Sequence, residues 1–242
     1  MADRHIVAMG GGGFSMEPRN PRLDDFVLSL ARRKRRPRVC FVGTASGDND
    51  YYLRRFYEAF PPSRAVATHL AFFERTVRDL KSFVIAQDVI YVGGGSSANL
   101  LAVWRLHGLD RALRAAWNEG VVMAGISAGA ICWFEDGLTD SFGMPYRALN
   151  CGLGFVRGAC CPHYDGEKQR APILKRLIRR GFPTTLALDD GAAAHFIGTR
   201  LVEVVSSRPK ARAIRIALSN GAIVEKALPV RYLGRRLQDD GN

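Results

Sequence analysis

The sequence predicts an α/β protein in which a mainly parallel sheet is covered by helices on both faces. Three observations carry this. Short apolar runs alternate with amphipathic stretches through the first half of the 242 residues. The runs are continuously apolar, as in strands buried on both faces, and several of them close in glycine. After residue 180 the texture changes to short β-rich segments parted by turn residues.

Taken in order, "HIVAM" reads as a first strand, "LDDFVLSLARR" as an amphipathic helix and "PRVCFVG" as a second strand. "YYLRRFYEAF" has helical spacing, "AVATHLAFF" that of a strand and "TVRDLKSFVIAQ" that of a helix. "DVIYVGGG" is a buried strand ending in three glycines, and "SSANLLAVWRLHGLDRALRAAWNEG" supplies one or two helices before the strand "GVVMAGI". This β-α alternation is the pattern of a parallel sheet with crossover helices. "TTLALDD", "AAAHFIG", "LVEVVSS", "ARAIRIAL" and "AIVEKALPV" then add strands to the same sheet or form a small appended one. No linker or repeat interrupts the chain, so residues 1–242 are expected to form a single domain.

Composition narrows the function classes. The apolar run "HIVAM" is too short for a secretory signal, and no segment approaches the roughly 20 apolar residues that span a bilayer. A cytoplasmic protein without a membrane partner is expected. Five cysteines, two of them adjacent, fit neither a disulfide framework nor a zinc spacing and read as small, buried, reduced thiols. The net charge of +12 raises the question of nucleic acid. The densest basic run, "ARRKRRPR", lies where a helix ends, and cations there complement the helix dipole. No aromatic interleaving or nucleic-acid module accompanies it. A solvated basic face is expected, with no specific nucleic-acid partner, and the positive surface would attract acidic peptides.

In parallel sheets, function gathers at the C-terminal strand ends. Three glycine stretches sit there: "GGGGFS", "GGGSS" and "GISAG". The first two complete neither a P-loop nor a dinucleotide fingerprint. "GISAG" completes G-x-S-x-G between a buried strand and a helix, the context of a nucleophile elbow. The turn would present Ser127 Oγ at the sheet edge, and the Ala128 N–H could stabilise an oxyanion. The competing reading makes Ser127 a helix cap. A serine nucleophile needs a base and an orienting acid. Among the five histidines, His5, His69, His107 and His195 fall in strand- or helix-like runs. His163 lies in the polar loop "CCPHYDGE", 36 residues after Ser127. For the acid, Glu135, Asp136, Asp140, Asp165, Asp189 and Asp190 all qualify on chemistry.

"DVIYVGGGSSANLL", "GISAGAICWF", "LTDS" and "CPHYDGE" together resemble the peptidase E family of serine peptidases, whose relatives include cyanophycinase. The resemblance implies a flavodoxin-like, class I glutamine amidotransferase-like three-layer α/β/α sandwich. It also implies hydrolysis of small peptides, dipeptidase-like, near an N-terminal Asp, through an acyl-enzyme and with no metal or cofactor. By position, Ser127 matches the family nucleophile and His163 the base. Asp140 in "LTDS" is the best match for the acid, with Glu135 and Asp136 as fallbacks. "YVGGG" matches the loop supplying the second oxyanion donor, Gly94 or Gly95, beside Ala128. Arg170 lies near the arginine that relatives use to bind substrate Asp. The chain departs from the family at "TDSFGMP", where the dipeptidases carry "NDMP". A homodimer is compatible with this reading.

Overall fold

Apolar strands paired edge to edge leave two faces to cover, and here the two faces are covered differently. The computed structural model describes residues 3–234. The elements run β1 (His5–Met9), α1 (Gly13–Met16), α2 (Arg22–Ser29), β2 (Arg38–Val42), α3 (Asp50–Ala59), β3 (Val66–Leu70), α4 (Leu80–Ile85) and β4 (Val89–Val92). They continue α5 (Ser97–His107), α6 (Leu109–Asn118), β5 (Val122–Ile126), α7 (Ala128–Ile131), β6 (Phe134–Thr139), β7 (Arg147–Leu149) and β8 (Val156–Cys161). The chain then forms α8 (Arg170–Arg179), β9 (Thr185–Leu188), β10 (Ala192–Ile197), β11 (Arg200–Ser206), β12 (Ala213–Ser219), β13 (Ala222–Ala227) and β14 (Arg231–Tyr232).

The main sheet has eight strands in the order β14-β11-β10-β1-β5-β4-β2-β3. From β1 to β3 every pairing is parallel, whereas β10 runs antiparallel to both β1 and β11. The sheet is therefore mixed, with its parallel half built as the β-α alternation predicts. Alternate residues point to opposite faces. Val7, Met9, Val39, Phe41, Val89, Tyr91, Val122 and Ala124 pack against Phe14, Leu23, Val27, Phe56 and Phe60 of α1–α3 and the loop that follows. Ile6, Ala8, Cys40, Val42, Ile90, Val92 and Met123 pack against α4–α6 and against Trp133 and Phe134.

A second, six-stranded sheet, ordered β13-β12-β9-β8-β6-β7, was not legible in the sequence as a unit. The segments 134–139, 147–149 and 156–161 form three of its strands, and their short lengths and polar interruptions hide them. The C-terminal segments divide: β10, β11 and β14 join the main sheet, and β9, β12 and β13 join the second. Leu138, Cys161, Ala187 and Ile216 of the second sheet pack on Leu174 and Ile178 of α8.

Helix ends follow local chemistry. Asn49, Asp79 and Ser96 accept hydrogen bonds from the N–H groups of Tyr52, Ser82 and Asn99 and cap α3, α4 and α5. Gly108, at φ 74°, ends α5 in the left-handed conformation and starts α6. Lys34 Nζ donates to the Ser29 carbonyl at 2.8 Å, so the basic run does close a helix C-terminus. Four cysteines are buried and free as expected, but Cys151 is exposed. Among the described residues no helix is long and apolar enough to cross a membrane.

Candidate active site

Small residues surround Ser127 because backbone must pass there. A Cβ on Gly125 would lie 2.0 Å from the Gly129 carbonyl oxygen, and one on Gly129 would lie 2.4 Å from that of Val92. The chain thus turns from β5 into α7 with no room for side chains, and Ser127 is held at φ 57°, ψ −112°. That conformation is strained for a non-glycine residue. Ser127 occupies the N-cap position of α7, yet its side chain makes no capping hydrogen bond. The cap reading therefore has no support, and the half-buried hydroxyl faces a pocket of about 400 Å³.

His163 lines the same pocket, as do Gly95, Ser96 and Asp140. It too has a left-handed backbone, at φ 53°. Its Nδ1 lies 2.6 Å from Asp190 Oδ1. An ionised carboxylate only accepts, so the neutral ring carries its proton on Nδ1 and leaves Nε2 as the basic nitrogen. The ring's hydrogen-bond partner is thus Asp190, from the turn between β9 and β10, and not Asp140, the expected acid. Asp140 follows β6 and lies across the pocket without a hydrogen bond to the ring. Of the fallbacks, Glu135 accepts from the Gly158 N–H at 2.9 Å, and neither it nor Asp136 bonds His163.

The glycine run after β1 explains how these distant segments meet. The carbonyls of Met9, Gly10 and Gly11 accept in turn from the N–H groups of Ser127, His163 and Gly191, each at 3.1 Å. Three successive peptide units therefore fix the backbones that carry serine, histidine and aspartate. A side chain at either Gly10 or Gly11 would collide with the acidic turn. A Cβ would come within 2.4 Å of the Asp189 carbonyl oxygen at Gly10 and within 2.1 Å of Asp190 Oδ1 at Gly11. The turn itself is braced by Asp165, which accepts from the Asp190 N–H at 2.8 Å, and by buried Asp189, whose Oδ2 accepts from Arg212 Nε at 2.8 Å. Sequence reasoning could not rank Asp190 above its competitors, because its only local signal is membership of an acidic pair beside a glycine.

Gly94 stands beside the serine, since a Cβ there would lie 3.3 Å from Ser127 Cβ. Its N–H, however, already donates to the Tyr52 hydroxyl at 3.2 Å. The N–H groups of Gly95 and Ala128 have no acceptor among the described residues. Of the three N–H groups expected to serve an oxyanion, these two are unspent.

Arg170, buried at 3 % exposure, also lines the pocket. Its Nε donates to Glu167 Oε2 at 2.5 Å and its Nη1 to the Leu138 carbonyl at 3.1 Å, and its guanidinium stacks 4.4 Å from the Tyr146 ring centroid. Glu167 accepts a second hydrogen bond from the Tyr146 hydroxyl. Burial would raise the Glu167 pKa, but the bonds from Tyr146 and Arg170 outweigh it and hold the carboxyl below its usual range. The charge of Arg170 is therefore matched inside the pocket by an ionised Glu167.

Known proteins share this chain's sequence pattern and fold. The family model described as Peptidase family S51 matches residues 6–204. A Bacillus subtilis (strain 168) protein named "Uncharacterized peptidase YgaJ" is 53 % identical over 232 residues, covering 96 % of this chain and all of that one. Among solved structures, a peptidase from an acI-B1 actinobacterium superposes with a TM-score of 0.72 at 19 % identity, over 94 % of this chain and 95 % of its own. A putative peptidase E protein from Listeria monocytogenes EGD-e gives a TM-score of 0.60 at 15 % identity, over 94 % of this chain and all of its own. These two likenesses extend to the fold. With the family model spanning both sides of the serine elbow and a relative sharing half of all positions, the chain belongs to Peptidase family S51 and is a serine-type peptidase.

Proposed function

We propose that the protein hydrolyses small peptides through an acyl-enzyme formed on Ser127, with His163 as base and Asp190 as the acid that orients it. The observation that carries this reading is the 2.6 Å contact between His163 Nδ1 and Asp190 Oδ1 in a pocket shared with a strained, uncapped serine. His163 Nε2 removes the Ser127 proton as Oγ attacks the scissile carbonyl. The carbonyl π electrons move to oxygen, and the N–H groups of Gly95 and Ala128 hold the resulting oxyanion. Losing one such donor typically costs about 100- to 1,000-fold in rate. As the tetrahedral intermediate collapses, the C–N bond breaks and the imidazolium protonates the departing amine. Water, deprotonated by the same nitrogen, then releases the acid and regenerates Ser127. Every step uses side chains and backbone of this chain.

The small pocket favours short peptides over a folded protein chain. A preference for N-terminal Asp would rest on Arg170, whose charge Glu167 already matches, and it forms no part of this proposal.

The test is hydrolysis of a dipeptide and tripeptide panel by wild type and Ser127→Ala, with fluorophosphonate labelling in parallel. Wild type is expected to cleave and to label at Ser127, while Ser127→Ala does neither and unfolds at the same temperature. Cleavage retained in Ser127→Ala would refute the assignment.

A further inference from the structure

The charges that face the catalytic pocket do not match the charge of the molecule. The chain carries a net +12, yet among the described residues only three side chains of fixed charge line the cavity that holds Ser127 and His163: Asp140, Glu167 and Arg170. Glu167 and Arg170 cancel through their 2.5 Å ion pair. Asp140 is exposed and forms no ion pair or side-chain hydrogen bond among the described residues, so of the three lining charges it is the uncompensated one.

Its place in the fold holds it there. Asp140 follows the last residue of β6, and its carbonyl accepts from the Gly143 N–H at 2.8 Å to close a turn. The next residue, Ser141, bonds the Thr139 hydroxyl at 2.7 Å and accepts from the Ala98 N–H of α5 at 3.3 Å. The turn is thereby tied to the helix that begins at the pocket rim. At that helix's N-terminus the N–H groups of Ala98 and Asn99 are spent on Ser141 and Ser96.

A neighbouring cavity has the same sign. At the ends of β2 and β3, along the same sheet edge, a cavity of about 620 Å³ is lined by Asp48, Asp50 and Glu74, with His69. No lysine or arginine lines it among the described residues. Asp48 Oδ2 accepts from the N–H groups of Phe72 and Phe73, and its buried Oδ1 has no partner. Both cavity linings thus carry a negative excess on a basic protein, and such clefts concentrate cations.

We propose that Asp140 is a specificity-determining residue that makes this peptidase prefer peptides presenting a cationic group, an ammonium or a guanidinium, and reject acidic ones. This rests on the peptidase reading above and names the substrate class of the same site. It reverses the expectation, drawn from net charge, that acidic peptides are favoured. Net charge describes the far surface; at contact distance the nearest unpaired charge decides, because exposed charges farther apart than about 8 Å are screened in physiological salt.

The cation has two possible sources, the peptide's own N-terminus or a basic side chain, and one substrate set separates them. Peptides sharing a scissile bond would carry Lys, norleucine or Glu beside it, each with a free or acetylated N-terminus. Wild type, Asp140→Asn and the charge-preserving Asp140→Glu would be compared. If the side chain is the cation, wild type should favour Lys over Glu by about 3- to 10-fold in kcat/KM, mainly through KM, as expected for one partly solvated pair. Asp140→Asn should bring that ratio near unity, and Asp140→Glu should restore it. If the N-terminus is the cation, acetylation should impose a similar loss on wild type and little further loss on Asp140→Asn. The proposal is overturned if wild type shows neither preference, or if Asp140→Asn lowers kcat by one common factor for every peptide, which would mark a general catalytic role. If wild type cleaves no peptide, the peptidase reading itself fails. Calorimetric binding of the same Lys and Glu peptides to Ser127→Ala then still decides the charge preference.

Discussion

Gly11→Ala is a one-methyl perturbation that should stop the reaction while leaving the fold in place. The added Cβ would stand 2.1 Å from Asp190 Oδ1, 2.9 Å from Met16 Sδ and 3.0 Å from Asp190 Cγ. Met16 has a flexible side chain and can turn aside. The Asp190 carboxylate cannot stay, because an ordinary carbon–oxygen contact requires it to retreat by about 1 Å. Its 2.6 Å contact with His163 would then stretch beyond hydrogen-bonding distance. A displacement of that size costs about 100-fold in rate, and complete loss of the imidazole tautomer about 10,000-fold. The expected fall in kcat lies between those limits. Gly11 is not in the left-handed region, so alanine adds no backbone strain there. Stability should drop only by the overpacking cost of about 1–3 kcal/mol. The assay pairs kcat on the best peptide with thermal unfolding, for Gly11→Ala, Asp190→Asn and the double variant. Because both changes break one interaction, their effects should not add. A folded Gly11→Ala protein with kcat within a few-fold of wild type would refute the claim that the glycine run holds the acid in place.

Two further predictions concern stability. Asp24 is buried against Tyr91, whose hydroxyl donates to it at 2.8 Å, and burial pushes its pKa up to about 6. A folded-state pKa raised above the unfolded value means stability is lost as pH rises through that window. Asp24→Asn should therefore stabilise the protein by about 3 kcal/mol at pH 8 and by much less at pH 4, as read by urea unfolding. An equal gain at both pH values would show that Asp24 is not the titrating group. His5 and His195 behave oppositely: their rings lie 3.0 Å apart between nitrogens, and burial lowers both pKa values. Their unfolded forms take up protons near pH 6.5 while the folded forms resist, so stability should fall as pH drops below that value. His195→Gln should flatten the slope in melts between pH 8 and pH 5, and an unchanged slope would exclude the pair as its source.

Much of this protein was determined locally. Continuous apolar runs separated by amphipathic ones specify buried parallel strands and their helices, because burial on two faces and on one face leave different periodicities. The elbow was equally legible: "GISAG" needs glycine at Gly125 and Gly129, where backbone crosses backbone, and a serine between them has few other uses. What the sequence could not decide were relations between segments. The second sheet draws strands from residues 134–227, and no short window reveals that β8 lies between β6 and β9. Nor could spacing choose the acid, since Asp140, nearer in sequence to Ser127, and Asp190, beyond the histidine, are the same chemical group. Asp190 is brought to His163 by β10 pairing with β1, which carries its turn over Gly11, and by three consecutive carbonyls that anchor serine, histidine and the acidic turn at one sheet end. A carboxylate orients a ring only across a hydrogen bond, and which carboxylate comes within that distance is a property of strand order.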